Sequence, residues 1–365
     1  MQNYPVAKIN LAALKHNLSR VKQLTAKSCR IMSVIKANAY GHGAIEVAKA
    51  LDDSDAFAVA RFDEALRLRE SGISKPIVIL EGVNSEADLH QAAKHALSLV
   101  FHHESQINLL MATQLKSPLN FCWLMVETGM HRLGLAMGKY EDALTQLSSS
   151  SNIVGQVGLM SHFANADAVD DSRNTQQLTH LKQLITQNEV PTSMANSAAI
   201  LSYPDSHGDW IRPGLMLYGI SPFEDQSAQE LDLKPAMQLQ SQITAIQELK
   251  AGDQVGYGGD WTAEKETRIA IVSIGYGDGY SRQLSNKASV VIEGQIAAVI
   301  GRVSMDMITV DISMLGNINV GDKVTLWGDE HLAVETIAEL ANTIPYELVC
   351  QVSERVKREY YNGEA

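Results

Sequence analysis

The sequence is poor in features that mark secreted, membrane and nucleic-acid-binding proteins. Its 365 residues include only three cysteines, far apart and without CxxC spacing, which suits a reducing compartment and unpaired, buried thiols. No apolar run is long enough to span a bilayer, and the N-terminus lacks the pattern of a secretory signal. The formal net charge is -12 and no Lys/Arg run occurs, which argues against nucleic-acid binding. We therefore expect a cytoplasmic protein without nucleic-acid or membrane partners.

Metal-ligand spacing is also missing. The eleven histidines form no HExxH or similar pattern, so we expect neither a structural nor a catalytic metal. What the chain has is length and apolar content: 45% of its residues are hydrophobic, enough for a large core. These values fit one large domain and a smaller one.

Strand and helix patterns alternate over residues 30–218. Short β-branched runs precede segments of helical period such as 63–71, 85–95, 104–115, 139–147 and 171–188, which is typical of βα units around a parallel sheet. Eight units favour a closed (β/α)8, TIM-like barrel, with an open doubly wound sheet as the alternative. The predicted strands are 31–35, 57–60, 76–80, 97–101, 121–126, 154–161, 192–195 and 215–218.

The alternation of strand and helix patterns ends after Pro222. Strand patterns separated by Gly, Asn and Asp turns then cover 238–249, 268–274, 288–292, 297–303, 308–312 and 323–327, with one short helix at 334–342. We predict a barrel domain over residues 11–223 and a mainly β domain over residues 224–365. The first ten residues also have an extended pattern and could pair with the β domain.

Unusual polar residues follow the predicted barrel strands. Because the C-terminal ends of barrel strands meet at one face, these side chains should converge there. They are Lys36 after the first strand, Arg132 after the fifth, His162 after the sixth, Asn196 and Ser197 after the seventh, and Arg212 beside the eighth.

Each of these residues has an ordinary interpretation beside a functional one. Lys36 is either a strand-end lysine that reaches solvent or a desolvated amine able to form an imine. Ser197 is either a helix cap or a phosphate ligand at a helix N-terminus, and Gly214 lies either in a simple turn or at the same phosphate. His162 alone would be a structural histidine. Arg212 is costly to bury, which favours contact with a ring nitrogen or an anion.

Eight segments in order resemble the alanine racemase family, and the resemblance covers essentially the whole chain. The motifs are VIKANAYGHG at 34–43, ETGMHRLG at 127–134, SHFA at 161–164, ANSAA at 195–199, GYG at 256–258, IGYGDG at 274–279, GRVSMD at 301–306 and PYE at 345–347.

The resemblance implies a pyridoxal 5'-phosphate enzyme whose cofactor is bound covalently to Lys36. His162 matches the residue packed on the pyridine ring and Arg212 the residue facing its nitrogen. The remaining cofactor positions, mostly around the phosphate, are Tyr40, Asn196, Ser197, Gly214, Leu215 and Tyr346. Arg132 and the backbone N–H of Met305 match the site of the substrate carboxylate. The channel opening is matched by Tyr276 and Tyr346, with Asp306 beside them.

The implied reaction interconverts L- and D-alanine with two bases on opposite faces of the substrate. Lys36 would take the proton from D-alanine and Tyr257 from L-alanine. Tyr257 and the Met305 loop would come from the partner chain, which implies a head-to-tail homodimer with composite sites. D-alanine would serve peptidoglycan synthesis, or the enzyme would serve alanine catabolism. The alternatives are a racemase of broader specificity, a non-catalytic pyridoxal-phosphate carrier and a decarboxylase of related fold.

The sequence departs from the family at Met125. Many members carry a carbamylated lysine there, seven residues before the arginine that binds the substrate carboxylate. Methionine supplies no carboxylate, so Arg132 must be oriented by a bound anion or by another side chain.

Overall fold

The computed structural model describes residues 4–363. The predicted domains also include residues 1–3 and 364–365, which lie outside the described residues. The chain opens with strand β1 (Val6–Asn10) and helix α1 (Leu11–Leu24). The helix is capped by Asn10, whose side chain accepts hydrogen bonds from two N–H groups of the first turn.

Within residues 4–363, eight parallel strands form a closed barrel. Each strand pairs with its neighbours, and the ring closes where β5 pairs with β6 and β10 pairs with β2. Closure confirms the TIM-like barrel over the open sheet. The strands are β2 (Arg30–Val34), β3 (Ala56–Val59), β4 (Ile77–Ile79), β5 (Ser98–Phe101), β6 (Cys122–Glu127), β8 (Val157–Met160), β9 (Thr192–Ser193) and β10 (Trp210–Ile211), with the short β7 (Leu135–Ala136) paired to β6.

The eighth strand was predicted in the wrong place. Strand β10 pairs with β2 and β9, whereas Leu215–Tyr218 forms a 3-10 turn. All four residues of that turn are buried. A short apolar run buried on every side has no periodicity that would distinguish a strand from a turn, and this explains the error.

Helices connect the barrel strands. They are α2 (Lys36–Tyr40), which is left-handed at its centre, α3 (Ala44–Ala50), α4 (Phe62–Glu70), α5 (Glu86–Lys94), α6 (Glu104–Ala112), α7 (Tyr140–Ser149), α8 (Ser172–Gln187) and α9 (Ser197–Ser202). The five predicted helices correspond to α4, α5, α6, α7 and α8, with ends that differ by at most three residues.

A second sheet follows the barrel, and the fold is the predicted barrel with a mainly β domain. Its long strand β11 (Met237–Leu249) pairs with β1, β18 and β14, and the pairing with β14 contains a register shift between Ile243 and Ala245. The sheet also contains β14 (Thr267–Val272), β15 (Ser289–Ile292), β16 (Gln295–Ile300), β17 (Ile308–Asp311) and β18 (Lys323–Trp327). Strands β12 (Gln254–Val255) and β13 (Trp261–Thr262) pair with each other in a separate two-stranded sheet.

Two elements near the C-terminus were not predicted. The expected single helix is α10 (Val334–Leu340), and a second helix, α11 (Pro345–Gln351), follows it with proline in its first turn. The last strand, β19 (Lys357–Tyr361), runs parallel to β1, which itself lies antiparallel to β11. The N-terminal strand is thus part of the C-terminal sheet.

Helix α11 of the second domain packs against the end of the barrel. Gly41 has a positive φ of 81° and approaches the helix so closely that a Cβ there would lie 2.1 Å from the carbonyl oxygen of Val349. Arg358 donates from Nε to the Gly41 carbonyl at 3.0 Å. These contacts bring α11 beside the turn that follows β2.

Neither a long apolar helix nor a cluster of metal-ligating side chains occurs in residues 4–363. No helix in residues 4–363 is long and apolar enough to cross a membrane. In the same range no three His, Cys, Asp or Glu side chains are grouped so that they could hold a metal ion.

The buried side chain of Asn17 ties α1 to the end of the barrel. It donates to the carbonyls of Leu217 (3.0 Å) and Lys234 (2.8 Å) and accepts from the N–H of Lys234 (2.8 Å). Asn17→Ala leaves these buried groups unpaired, so we expect a loss of about 3 kcal/mol in the free energy of unfolding, measured with urea. The exposed Asn317→Ala is the control, expected to change stability by less than about 0.5 kcal/mol. Equal stability of the two variants would contradict this account.

Candidate active site

A cavity of about 550 Å³ lies at the C-terminal ends of the barrel strands. The barrel half of the predicted site converges on it, as expected for this end of a barrel. The predicted residues that line it are Lys36, Tyr40, Arg132, His162, Asn196, Ser197, Arg212, Gly214, Leu215 and Tyr346.

Lys36 enters the cavity directly after β2. The residues before it are buried core, and the lysine itself is partly buried. Burial, and then the positive charge of Arg132, hold the pKa of its amine below the usual value. A lowered pKa leaves more of the amine neutral, and the neutral amine is the form that attacks a carbonyl.

The backbone after Lys36 is left-handed. Ala37, Asn38, Ala39 and Tyr40 have φ between 51° and 54°, a conformation that costs of the order of 1–2 kcal/mol for each residue with a side chain. Such strain persists only where neighbouring contacts impose it. His42, which is fully buried, supplies one such contact, since its Nδ1 donates to the carbonyls of Ala39 (3.1 Å) and Tyr40 (2.9 Å). The result is that Lys36 and Tyr40 both reach the same cavity.

Arg212 is a buried cation, 4% exposed, that follows β10. Its guanidinium donates to Ser193 Oγ (2.6 Å), the Ser161 carbonyl (2.6 Å) and His162 Nδ1 (3.0 Å), and no carboxylate in residues 4–363 pairs with it. Burial and the charge of Arg132 lower its pKa to about 10, so it stays charged at neutral pH.

His162 is held in its neutral form. Because Nδ1 accepts from Arg212, the proton of the ring is on Nε2. Burial, followed by the charges of Arg212, Arg132 and Lys36, keeps the pKa of His162 well below its usual value. The imidazole therefore offers the cavity a neutral flat ring.

The far end of the cavity is rich in hydrogen-bond donors. Ser197 Oγ accepts from the N–H groups of Gly214 (2.9 Å) and Met216 (3.3 Å), which leaves its own hydrogen free to donate. Tyr40 is 7% exposed, and within residues 4–363 its hydroxyl has no hydrogen-bond partner. Burial raises its pKa, so this hydroxyl remains a donor. A Cβ on Gly214 would lie 2.8 Å from it.

The cap of α9 is Asn196, not Ser197. Asn196 Oδ1 accepts from the N–H of Ala199 at 3.0 Å, and Ser197 is the first residue of the helix. The ordinary interpretation of Ser197 as a helix cap was therefore wrong, and its hydroxyl serves the Gly214 turn instead.

Arg132 is exposed at the rim of the cavity, with Met125 in the wall. Met125 is 9% exposed, and within the described residues Arg132 has neither an ion pair nor a hydrogen bond. The structure thus supplies no side chain in place of the family's carboxylate, and the guanidinium is free to bind an anion.

The other half of the predicted site lies apart from the cavity. Tyr257, Tyr276 and Met305 are 73%, 45% and 52% exposed, and among the described residues that line the cavity neither these three nor Asp306 occurs. Exposed aromatic and methionine side chains of this kind mark interaction surfaces. We call these four residues the β-domain cluster.

Ion pairs fix the loops of the β-domain cluster. Arg355 Nη2 contacts Asp306 Oδ1 at 2.7 Å, and its Nε lies 3.4 Å from the buried Asp278. The N–H of Tyr276 donates to the Ser304 carbonyl at 3.0 Å, which joins the turn of Tyr276 to the loop of Met305. Arg302 pairs with Asp260, three residues beyond Tyr257, with Nη2 to Oδ1 at 2.9 Å. The cluster is presented on fixed loops.

Several cavity residues were not predicted from the sequence, among them Glu81 and Cys350. Glu81 follows β4, and the choice of polar residues that follow barrel strands, which was applied to the other strands, would have included it. Cys350 lies one helical turn after Tyr346 on α11 and lines the cavity as an exposed thiol, although every cysteine was expected to be buried. Because α11 was not predicted, the sequence did not indicate that Tyr346 and Cys350 lie on the same face of one helix.

Two family models match most of the chain. The model described as the N-terminal domain of alanine racemase matches residues 9–222, and the model of the C-terminal domain matches residues 236–360. The alanine racemase of Aeromonas hydrophila subsp. hydrophila is 44% identical over 97% of this chain and 99% of that protein. The alanine racemase of Coxiella burnetii is 46% identical over 97% of this chain and 98% of that protein.

Solved structures agree with the sequence matches. The biosynthetic alanine racemase of Pseudomonas aeruginosa is 42% identical, with a TM-score of 0.93 over 99% of this chain and 100% of that chain. An alanine racemase of Bartonella henselae with covalently bound pyridoxal phosphate is 30% identical, with a TM-score of 0.88 over 99% of this chain and 100% of that chain.

The lowered pKa of Lys36 predicts that its amine is reactive at a lower pH than that of an exposed lysine. The protein is first treated with hydroxylamine, which removes any bound carbonyl compound, and is then methylated reductively over a pH series. Mass spectrometry of peptides follows Lys36, with the exposed Lys27 as internal reference. Because only the neutral amine reacts, half-modification of Lys36 should occur at the lower pH. Identical pH profiles would show that burial and Arg132 do not affect this amine.

Proposed function

The chain belongs to the alanine racemase family, and we propose that it interconverts L- and D-alanine with pyridoxal phosphate as cofactor and with the site residues named below. The observation that carries the function is a cavity in which the amine of Lys36 is grouped with Arg212 and His162, in a chain that matches alanine racemases over nearly its full length. Alanine is the substrate and the enzyme is an isomerase.

The residues present fit pyridoxal phosphate. The test is the hydroxyl of Tyr40, a residue that is 7% exposed: this hydroxyl lies at the cavity beside Gly214 and has no hydrogen-bond partner within residues 4–363. We assign the phosphate to Tyr40, Ser197, Gly214, Leu215 and Tyr346, with Asn196 capping the same helix.

His162 would pack against the pyridine ring of the cofactor, and Arg212 would face the nitrogen of that ring. The neutral imidazole of His162 offers an apolar surface. An always-charged guanidinium would disfavour protonation of the ring nitrogen, so less negative charge would be drawn from the substrate Cα into the ring. Return of a proton to Cα would then be favoured over side reactions such as transamination. Lys36 Nζ would form the covalent bond to the cofactor.

The bound cofactor supplies an electron sink that stabilises negative charge at the substrate Cα. The protein's part is to remove a proton from one face and return it to the other. Lys36 Nζ would take the proton of D-alanine, and the Tyr257 hydroxyl that of L-alanine. The lowered pKa of the Lys36 amine makes it a base closer to neutral pH.

Substrate selection is assigned to the rim of the cavity. Arg132, free of other partners among residues 4–363, would bind the carboxylate of alanine together with the backbone N–H of Met305. Tyr276 and Tyr346, with Asp306 beside them, would narrow the channel.

The position of the β-domain cluster supports a homodimer. These side chains lie on fixed loops and are exposed, whereas the cavity of the same chain is lined without them. A head-to-tail arrangement would place Tyr257 and Met305 of each subunit at the cavity of its partner.

The boundary between the two domains at residue 223 and the cytoplasmic location of the protein stay predictions.

The activity is tested on the purified protein. We expect a visible band at about 420 nm that borohydride abolishes, and mass spectrometry should then locate the cofactor on Lys36. L-alanine should approach an equal mixture of enantiomers in a chiral assay. Lys36→Ala should lose the band and the activity, and the exposed Lys27→Ala should keep both. A band without racemisation would favour the decarboxylase or the carrier, and absence of the band would refute the assignment of Lys36.

Composite sites predict complementation between two inactive variants. Lys36→Ala and Tyr257→Phe should each lower activity at least about 100-fold when expressed alone. Co-expressed, they form mixed dimers in which one of the two sites has both residues intact, so activity should recover to about a quarter of the parent value.

The control is Lys36→Ala co-expressed with the double variant, which can form no intact site and should stay inactive. Failure of the first pair to recover activity would place Tyr257 in the cavity of its own chain or outside the reaction.

A further inference from the structure

One carboxylate outside the predicted site contacts the backbone next to Lys36. Glu64 lies in the first turn of α4, at the end of β3, and its Oε1 accepts from the N–H of Ala37 at 2.6 Å. Its Oε2 accepts from the N–H groups of Ala60 (2.8 Å) and Arg61 (3.1 Å). Both oxygens of one side chain thus join the turn after β2 to the loop after β3.

We propose that Glu64 is a positioning residue for Lys36, whose carboxylate holds the left-handed turn that directs the amine into the cavity. The turn begins at Ala37, the residue to which Glu64 is bonded, and continues as four left-handed residues in succession. Such a backbone needs contacts that impose it, and a charged acceptor forms a stronger hydrogen bond than a neutral one. The inference rests on Lys36 being the cofactor lysine of the proposed function.

Backbone hydrogen bonds from the Ala39 N–H to the Ile35 carbonyl (2.9 Å) and from the Gly41 N–H to the Ala37 carbonyl (3.0 Å) run along the turn, and the other side-chain contacts lie beyond its start. Asn38 Oδ1 accepts from the N–H of Ala44 at 2.9 Å, and His42 binds the carbonyls of Ala39 and Tyr40. Among the described residues, Glu64 is the one whose side chain bonds to the N–H of Ala37. Removing it should loosen the backbone at Lys36 while the rest of the turn keeps its contacts.

The charge of Glu64 also acts on the amine. Its negative charge raises the pKa of Lys36, against the larger lowering effects of burial and Arg132. The other ionisable groups around this amine are Glu81 after β4, Glu127 of β6, Tyr346 and Cys350 on α11, Tyr40 on the turn, His162 after β8 and Arg212 after β10. Loss of the carboxylate should therefore shift the protonation of this site to lower pH.

The test compares three variants as holoenzymes. Glu64→Gln keeps the size but has one acceptor oxygen where two are used, and it loses the charge. Glu64→Asp keeps the charge but is one methylene too short. Glu70→Gln, exposed at the other end of α4, is the matched control.

Hydrogen exchange of the peptide covering residues 36–41 is the first readout. We expect exchange to accelerate about tenfold in Glu64→Gln and Glu64→Asp and to stay unchanged in Glu70→Gln. The second readout is the pH midpoint of the visible band, which should move to lower pH in Glu64→Gln and remain near the parent value in Glu64→Asp. A purely structural role would not separate these two variants.

Parental exchange rates in both Glu64 variants would overturn the proposal. If Glu64→Gln fails to fold, hydrogen exchange of the same peptide in Glu64→Asp tests the proposal. Faster exchange than in the parent protein supports the proposal, and exchange at the parent rate overturns it. An inactive parent protein would instead contradict the proposed function, since hydrogen exchange reports the turn whether or not alanine is racemised.

Discussion

The guanidinium of Arg212 is 4% exposed and donates to a hydroxyl, a carbonyl and an imidazole, with no carboxylate partner within residues 4–363. Burying an unpaired cation is costly, so three good acceptors are needed to keep it there. Its charge, with that of Arg132, then acts on the neighbouring groups: it helps to hold His162 neutral, while Arg132 lowers the pKa of Lys36. The cavity is therefore suited to a ligand that brings negative charge.

Barrel closure makes this arrangement possible. Strands β2, β10, β9 and β8 are consecutive neighbours in the ring, and Lys36, Arg212, Ser197 and His162 come from the segments that follow them. Neighbouring strands lie about 4.8 Å apart, so side chains at their ends are in reach of one another. Residues separated by up to 176 positions in the chain thereby contact one cavity. In an open sheet the same residues would be distributed along an edge.

The two domains contribute differently to the site. The barrel supplies Lys36 and most of the cofactor contacts, and α11 of the β domain adds Tyr346 and Cys350 to the same cavity. The β-domain cluster points elsewhere, on loops fixed by Arg302 and Arg355. Fixed, exposed aromatic and methionine side chains are suited to complete a site on a second copy of the chain, because little conformational entropy is lost on association.

The sequence by itself determined the alternation of strands and helices, the change to a β domain and the residues at the strand ends, because periodicity and position along a strand are local properties. The motifs further determined the family. Only the tertiary structure decided that β10 rather than Leu215–Tyr218 closes the barrel, that α11 reaches the cavity, and that Asn196 caps α9. It also decided the left-handed turn after Lys36 and the contact with Glu64. These features depend on which distant groups meet, and hydrogen bonds between segments far apart in the chain leave no periodic signal in the sequence.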